Sequence, residues 1–362
     1  MSASRRGAHE PWDRPLLAIA LGLTFISLIA LRSASATLNP MLLWKQAIWA
    51  AAAIGLGTLL ACRPYTRWTD LGLLLYGATL LLLGMVLVAG TMKMGATRWL
   101  TIVGLSIQPS ELAKLATACC LARYLGTQPT PLSARSLVLS AIVVGIPALL
   151  IFLQPDLGTS SVLGAVWVAT VWAAGISRRH LTLLALIALI AMPLGWHALK
   201  EYQRARLLVF LNPQADPLGA GYTIIQSAIA IGSGQLLGRG WMAGTQNQLN
   251  FLPERHADFL YSVIGEEWGF LGSGIVVALY AGLIWRGLVI AMENGEPQGR
   301  LLAVALVAWI GYQAVVNMGM VMGLVPVVGV PLPLLSYGGS AMLTTWLAVG
   351  LLQSVRRFGT RF

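Results

Sequence analysis

Three observations predict an all-α, polytopic integral membrane protein with ten transmembrane helices, both termini cytoplasmic and a large structured outer loop. Of the 362 residues, 57% are hydrophobic and only 10% charged, and the mean hydropathy of +0.75 lies far outside the range of soluble domains. Apolar segments recur at the length of about 20 residues that a bilayer crossing needs. Lys and Arg fall mainly on one side of the crossings these segments define, as the positive-inside rule requires.

The spans are expected at 15–31, 42–61, 71–90, 110–125, 135–153, 157–175, 181–197, 258–285, 301–322 and 337–355. The first acts as its own anchor. Arg5, Arg6 and Arg14 run into it without a small-residue cleavage site, and further spans follow at once. An even number of crossings leaves both termini on one face. With that face cytoplasmic, the inner set of basic residues runs from Arg5, Arg6 and Arg14 through Arg63, Arg67, Arg123, Arg135, Arg178, Arg179, Arg286 and Arg300 to Arg356, Arg357 and Arg361. Arg32, Lys45, Lys93, Arg98, Lys114, Lys200, Arg204, Arg206, Arg239 and Arg255 fall outside or near outer helix ends, mostly beside polar motifs.

Topology and contact with anionic headgroups therefore explain most of the formal charge of +11, and no nucleic-acid partner is expected. Cys62, Cys119 and Cys120 lie near inner helix ends and give no disulfide framework. Most connections are short. The exception is the outer loop of about 198–257, whose GYTIIQSAIAIGSGQ reads as a short apolar helix, re-entrant or lying on the outer surface as a lid hinged by glycines. The glycines Gly232, Gly234, Gly238 and Gly240 lack the preceding strand of a dinucleotide site.

Four polar segments collect on the outer face. In GATRWLTIVGLSIQPSELAK, Ser110 is expected to cap a helix, with Glu111 and Lys114 one turn apart on one face. Arg98 and Trp99 read either as an interfacial anchor or as a phosphate contact beside a lipid. In QPDLGTS, Asp156 is placed to cap the next helix. The long loop supplies Arg204 and Arg206, whose guanidinium groups match phosphate oxygens. FLPERHADFLYSVIGEEWG, residues 251 to 269, sets Asp258 where a polar loop enters a membrane helix, with Ser262 and Glu266 following at i+4 and i+8. An acid kept at the edge of hydrocarbon is costly and points to function, unless it merely caps the helix. His256 stands alone, without partners at metal-ligand spacing.

GATRW with IQPSELAK, QPDLGT, GYTIIQS with GSGQLLGRG, FLPERHADF with EEWG, and NMGMVMGLVPVVGVPLPLLSYGGS, in that order over nearly the whole chain, resemble the SEDS family of shape, elongation, division and sporulation proteins. The ending PVVGVPLPLLSYGGS at Ser340 is similar to the elongation branch rather than the division branch. The resemblance implies a single membrane domain and a peptidoglycan glycosyltransferase that polymerises lipid II on the outer face of the cytoplasmic membrane. Its implied partners are lipid II, an undecaprenyl-pyrophosphate-linked glycan, membrane lipids and a class B penicillin-binding protein that crosslinks.

Asp258 then matches the family's essential acid, either taking the acceptor hydroxyl proton or holding a divalent cation, Mg or Mn, with no organic cofactor. Arg98, Lys114, Arg206 and Arg255 become candidates for the pyrophosphate, with Trp99 and His256 as further substrate contacts. Glu111 positions Lys114 or the acceptor sugar, and Gln154, Asp156, Ser262, Glu266 and Ser336 support the site. One departure is Ala257, where the family commonly has Thr or Ser. A lipid II flippase or polyprenol-linked sugar transporter with the same basic cavity is the rival reading, and a scaffold that only recruits the crosslinking partner is a third.

Overall fold

The computed structural model describes residues 11–36, 39–93, 96–102, 105–199, 201–219 and 221–360. Arg5, Arg6, Gly95, Lys200 and Arg361 lie outside these described residues.

Helices α1 (Arg14–Ala34), α2 (Met41–Ala61), α3 (Tyr65–Asp70) and α4 (Gly72–Ala89) lead into three short strands, β1 (Thr91–Lys93), β2 (Ala96–Ile102) and β3 (Leu105–Ile107). Then come α5 (Pro109–Gly126), α6 (Ala134–Leu153), α7 (Leu157–Ala173), α8 (Arg178–Ala198) and α9 (Glu201–Leu211). A 3-10 turn at Pro213–Ala215 precedes α10 (Tyr222–Ser233), α11 (Thr245–Gln248), α12 (Leu260–Glu293), α13 (Pro297–Val321) and α14 (Gly339–Phe358). Each expected span is occupied by helix. Among the described residues, six helices, α1, α2, α4, α6, α12 and α13, are long and apolar enough to cross a membrane.

Local chemistry sets several helix starts. Asp13, Ser133, Asp156 and Ser177 each accept a backbone N–H of the first turn of α1, α6, α7 and α8. The expected cap at Ser110 is corrected. Pro109 takes the first helical position, where its missing N–H costs nothing, so the cap position falls on Gln108 and Ser110 sits inside the turn.

One element departs from the all-α expectation. β1, β2 and β3 form an antiparallel sheet in sequence order, with Thr91 opposite Trp99 and Leu100 opposite Ile107. TRWLTI is rich in β-branched and aromatic residues, and the sheet lets its backbone groups pair where no helix continues.

Two close approaches hold the bundle. α14 lies against α2 where Gly57 and Gly350 meet, and a Cβ at Gly350 would stand 2.3 Å from the Gly57 carbonyl oxygen. Backbone cannot yield there. Gly350→Leu is therefore expected to destabilise the protein by about 1–3 kcal/mol or more, read as a lower melting temperature in detergent; an unchanged melt would mean that the α2–α14 crossing is dispensable.

The second approach is a break in α12. Gly269 has φ 66° and ψ −159°, which splits the helix into a short N-terminal stub and a long C-terminal rod. The freed groups pair with the glycine-rich loop: Phe270 N donates to Gln235 O (2.8 Å), Arg239 N to Glu266 O (3.0 Å) and Gly240 N to Glu267 O (3.0 Å). A Cβ on Gly234 would lie 1.9 Å from Gly265 O, and one on Gly238, at φ +83°, 2.1 Å from Glu267 O. Gly234 and Gly238, read from the sequence as hinges, are contact points that let the loop seal the broken helix. α10 packs on α12 and α13, and Ser227 Oγ donates to Val321 O (2.6 Å). None of the described side chains of α8 is buried.

Candidate active site

Asp258 lies in the turn before α12, half-buried. The capping alternative falls away: Phe259 holds the cap position and no side chain caps the helix. Among the described residues no group hydrogen-bonds the Asp258 carboxylate, whereas the backbone around it is tightly held. Tyr337 N donates to His256 O (2.9 Å), Ser336 Oγ to Ala257 O (2.6 Å) and Asn317 Nδ2 to Asp258 O (2.9 Å). Three consecutive carbonyls are pinned.

The donors come from α13 and from the non-helical stretch between α13 and α14, residues 322–338. That stretch has its own polar groups satisfied from all sides. Asn317 and Gln313, one turn apart on α13, donate to Val330 O (2.7 Å) and Pro331 O (3.2 Å). Tyr280 Oη donates to Pro333 O, Ser27 Oγ to Leu335 O and Gln46 Nε2 to Ser336 O. Irregular backbone among apolar helices persists only with such partners.

Burial is the largest influence on the Asp258 carboxyl. Together with the negative charges of Glu254 and Asp156 it raises the pKa from 3.8 to about 6, while Arg98 and Arg206 oppose the rise. The acid is thus poised between two carboxylates and two guanidinium groups drawn from β2, the QPD turn, α9 and its own loop. Burial holds the neighbouring His256 below its ordinary pKa, with Glu254 opposing (3.8 Å from Nε2) and Arg255 reinforcing. Among the described residues its buried Nδ1 has no hydrogen-bond partner, and its ring tilts against that of Tyr337, centroids 5.6 Å apart.

Arg98, 24% exposed, donates to the carbonyls of Gln154 and Pro155 and stands 3.8 Å from Asp156 Oδ1, so β2 is tied to the QPD turn. Trp99 is half-buried on the same strand, and Arg206 is exposed on α9. Asp156 caps α7 through Thr159 N (3.0 Å), and Gln154 Nε2 donates to Leu83 O (2.9 Å).

Other expected site residues sit elsewhere. Lys114 and Glu111 are each 1% exposed and 2.8 Å apart. Lys114 Nζ also donates to Gln313 Oε1 (3.0 Å) and lies 4.7 Å from the Trp309 ring centroid, and Thr344 Oγ1 donates to Glu111 Oε2 (3.0 Å). This enclosed network braces α5, α13 and α14 and leaves Lys114 no open face for a pyrophosphate. Arg255 is likewise 1% exposed, donating to Ala34 O (2.9 Å) and Asn247 O. Both expected phosphate contacts are reassigned to holding the scaffold, because a buried cation takes its partners from the fold.

Glu266 accepts from Gln246 N (2.8 Å) and Asn247 N (3.2 Å) at the start of α11, and Ser262 Oγ donates to Phe259 O (2.7 Å). Ser336 Oγ, besides its bond to Ala257 O, accepts from Leu332 N (2.9 Å).

Among the described residues no group of three or more His, Cys, Asp or Glu is placed to share a metal ion. An all-protein cage therefore does not fit. One carboxylate beside a substrate pyrophosphate does fit the way Mg²⁺ is usually held.

The model of the FtsW, RodA and SpoVE family, described as cell cycle protein, matches residues 13–361. The chain belongs to this family. It is the SEDS family that the motifs resemble. The peptidoglycan glycosyltransferase MrdB of Escherichia coli K12 is 42% identical over 294 residues, covering 81% of this chain and 79% of that one. A probable peptidoglycan glycosyltransferase FtsW of Geobacter metallireducens is 35% identical over 96% of this chain and 95% of its own. Among solved structures, a chain of a peptidoglycan synthase complex superposes with a TM-score of 0.82 at 35% identity, covering 96% of this chain and 98% of that one. The rod shape determining protein RodA of Thermus thermophilus gives 0.73 at 31% identity, covering 96% and 97%.

In this SEDS chain several site-building residues carry no charge, which is why no role was read for them from the sequence: Gln46, Gln313, and Asn317 and the Tyr337 backbone, both inside the NMGMVMGLVPVVGVPLPLLSYGGS motif. A signal existed. Gln313 and Asn317 are amides at i and i+4 inside an otherwise apolar span, and intramembrane polar side chains face the bundle interior. The electrostatic layout also gives an expected result. Because Arg98 lowers the Asp258 pKa, Arg98→Gln moves the acidic limb of the activity–pH profile from about 6 to higher pH. A limb that stays in place or moves down would remove Arg98 from the acid's surroundings.

Proposed function

We propose that this chain polymerises lipid II into β-1,4-linked glycan strands on the outer face of the cytoplasmic membrane, serving cell elongation and rod shape. Ten helices cross the membrane with both termini inside, since Arg63, Arg123, Arg286, Arg300 and Arg357 then all lie on the cytoplasmic side. The observation that carries the reading is one carboxylate that, among the described residues, neither caps a helix nor takes a hydrogen bond, held by its backbone and poised at a pKa of about 6 beside Arg98 and Arg206.

The 4-hydroxyl of the incoming lipid II attacks the anomeric carbon of the growing glycan. The new O–C bond forms as the bond from that carbon to the undecaprenyl pyrophosphate oxygen breaks, with inversion. Asp258 accepts the hydroxyl proton, and the pyrophosphate leaves with the bonding electrons. A base with a pKa near 6 is largely ionised at neutral pH yet basic enough to share a proton in the transition state. Arg98 and Arg206 offset the charge growing on the leaving group. Trp99 and His256 line the same approach. A divalent cation bound at Asp258 would add neutralisation of the pyrophosphate.

The crosslinking partner is a class B penicillin-binding protein, a reading supported by the likeness to a chain of a peptidoglycan synthase complex. The test is polymerisation of labelled lipid II by the protein reconstituted with that partner, with and without Mg²⁺ or Mn²⁺. Glycan ladders are expected. Their absence, together with movement of lipid II across the vesicle bilayer, would replace this reading with the flippase.

A further inference from the structure

Asn317 is fully buried on α13, and its Nδ2 donates to two carbonyls at once, Asp258 O (2.9 Å) and Val330 O (2.7 Å). Its orientation is dictated by chemistry: turned over, the amide would set an oxygen against two acceptors. The two carbonyls belong to two walls of the site. Between Val328 and Val330, Gly329 has φ +68°, and a Cβ there would lie 3.5 Å from Asp258 Oδ2, so bare backbone faces the acid. Behind that loop, a Cβ on Gly158 would lie 2.7 Å from Val328 O and 2.5 Å from Val330 Cγ1. The loop is thus wedged between the QPDLGT turn and Asp258.

We infer that Asn317 is a positioning residue for the reaction: by bridging the Asp258 and Val330 carbonyls it fixes the acid against the Gly329 wall and so aims the carboxylate at the acceptor hydroxyl. Ser336 is its companion one residue back, bridging Ala257 O and Leu332 N. Neither side chain touches the reacting atoms. The inference rests on the polymerase reading for its effect on rate, and on geometry alone for the clamp.

The effect of losing such a clamp is set by misplacement. A shift of about 1 Å in a reacting group costs on the order of 10²-fold in rate. Asn317→Ala, and the equally sized Asn317→Asp, which offers two acceptors no donor, are expected to lower kcat by about 10- to 100-fold while leaving KM for lipid II nearly unchanged. In a double-mutant cycle with Ser336→Ala the two losses are expected to be non-additive, since both act on one turn.

Hydrogen exchange followed by mass spectrometry reads the clamp without turnover. Exchange from Glu254 to Ser262 is expected to quicken in Asn317→Ala while α7 keeps its protection. Parental exchange in that segment, or a parental kcat, would overturn the inference, as would loss of protection throughout the bundle, which marks a merely structural role. The parent and Asp258→Asn run alongside: a parent without polymerase activity defeats the functional reading, and the exchange result then decides the clamp by itself.

Discussion

Asp258→Asn is expected to lower glycan synthesis by about 10²–10⁴-fold, the usual contribution of a general base, in a protein that folds and binds its partner as before. Asn keeps the shape and removes the proton acceptor. The turn itself is held by Tyr337 N, Ser336 Oγ and Asn317 Nδ2 acting on backbone carbonyls, so none of those bonds depends on the carboxylate. Stability moves the other way. Burial raises the folded-state pKa from 3.8 to about 6, so the folded protein binds this proton more tightly than the unfolded chain does. The contribution of this group to stability therefore falls as pH rises through that window, and above about 6 the ionised acid is a cost that Asn removes. An unchanged or higher melting temperature at neutral pH, paired with lost polymerisation, is the expected signature of a site that sacrifices stability for function. Ladders at the parental rate from Asp258→Asn would dismiss the acid as base.

Lys114→Met should give the largest loss of stability. Removing one partner of a buried ion pair typically costs about 3–5 kcal/mol, because the other charge stays buried without compensation. Here the stranded group is Glu111, 1% exposed, left with Thr344 Oγ1 as its remaining donor. Gln313 Oε1 would keep Trp309 Nε1 (2.5 Å) but lose Lys114. The double substitution Lys114→Met with Glu111→Gln removes both charges and should recover much of the loss. Melting of the three variants in detergent checks this. A Lys114→Met protein that melts like the parent but needs far more lipid II would return Lys114 to the substrate.

The two sets of charges differ in a way that spacing alone does not reveal. Glu111 and Lys114 were legible as an i,i+3 pair, and Arg98 as a base beside an aromatic residue, but nothing local distinguishes a bracing pair from a binding one. Arg255 adjoins His256 in a motif that contains the acid, yet it points to Ala34 and Asn247. The glycines of 234–240 had the composition of a hinge. Their role emerged only where Gly238 meets Glu267 O across the break at Gly269.

The sequence by itself determined the membrane class, the helical segments, the cap at Asp156, the family, and Asp258 as the candidate acid, because apolar length, capping chemistry and motif order are local properties of a chain. The tertiary structure decided which polar groups face the reaction and which hold the scaffold: the Asn317 and Ser336 clamps, the enclosed Lys114 network and the sealing of the broken α12. These depend on pairing between residues distant in the chain, from 27 positions for Arg239 and Glu266 to 59 for Asn317 and Asp258 and 233 for Thr344 and Glu111. In an apolar interior each buried polar group must find a partner, and only the packed bundle specifies which one.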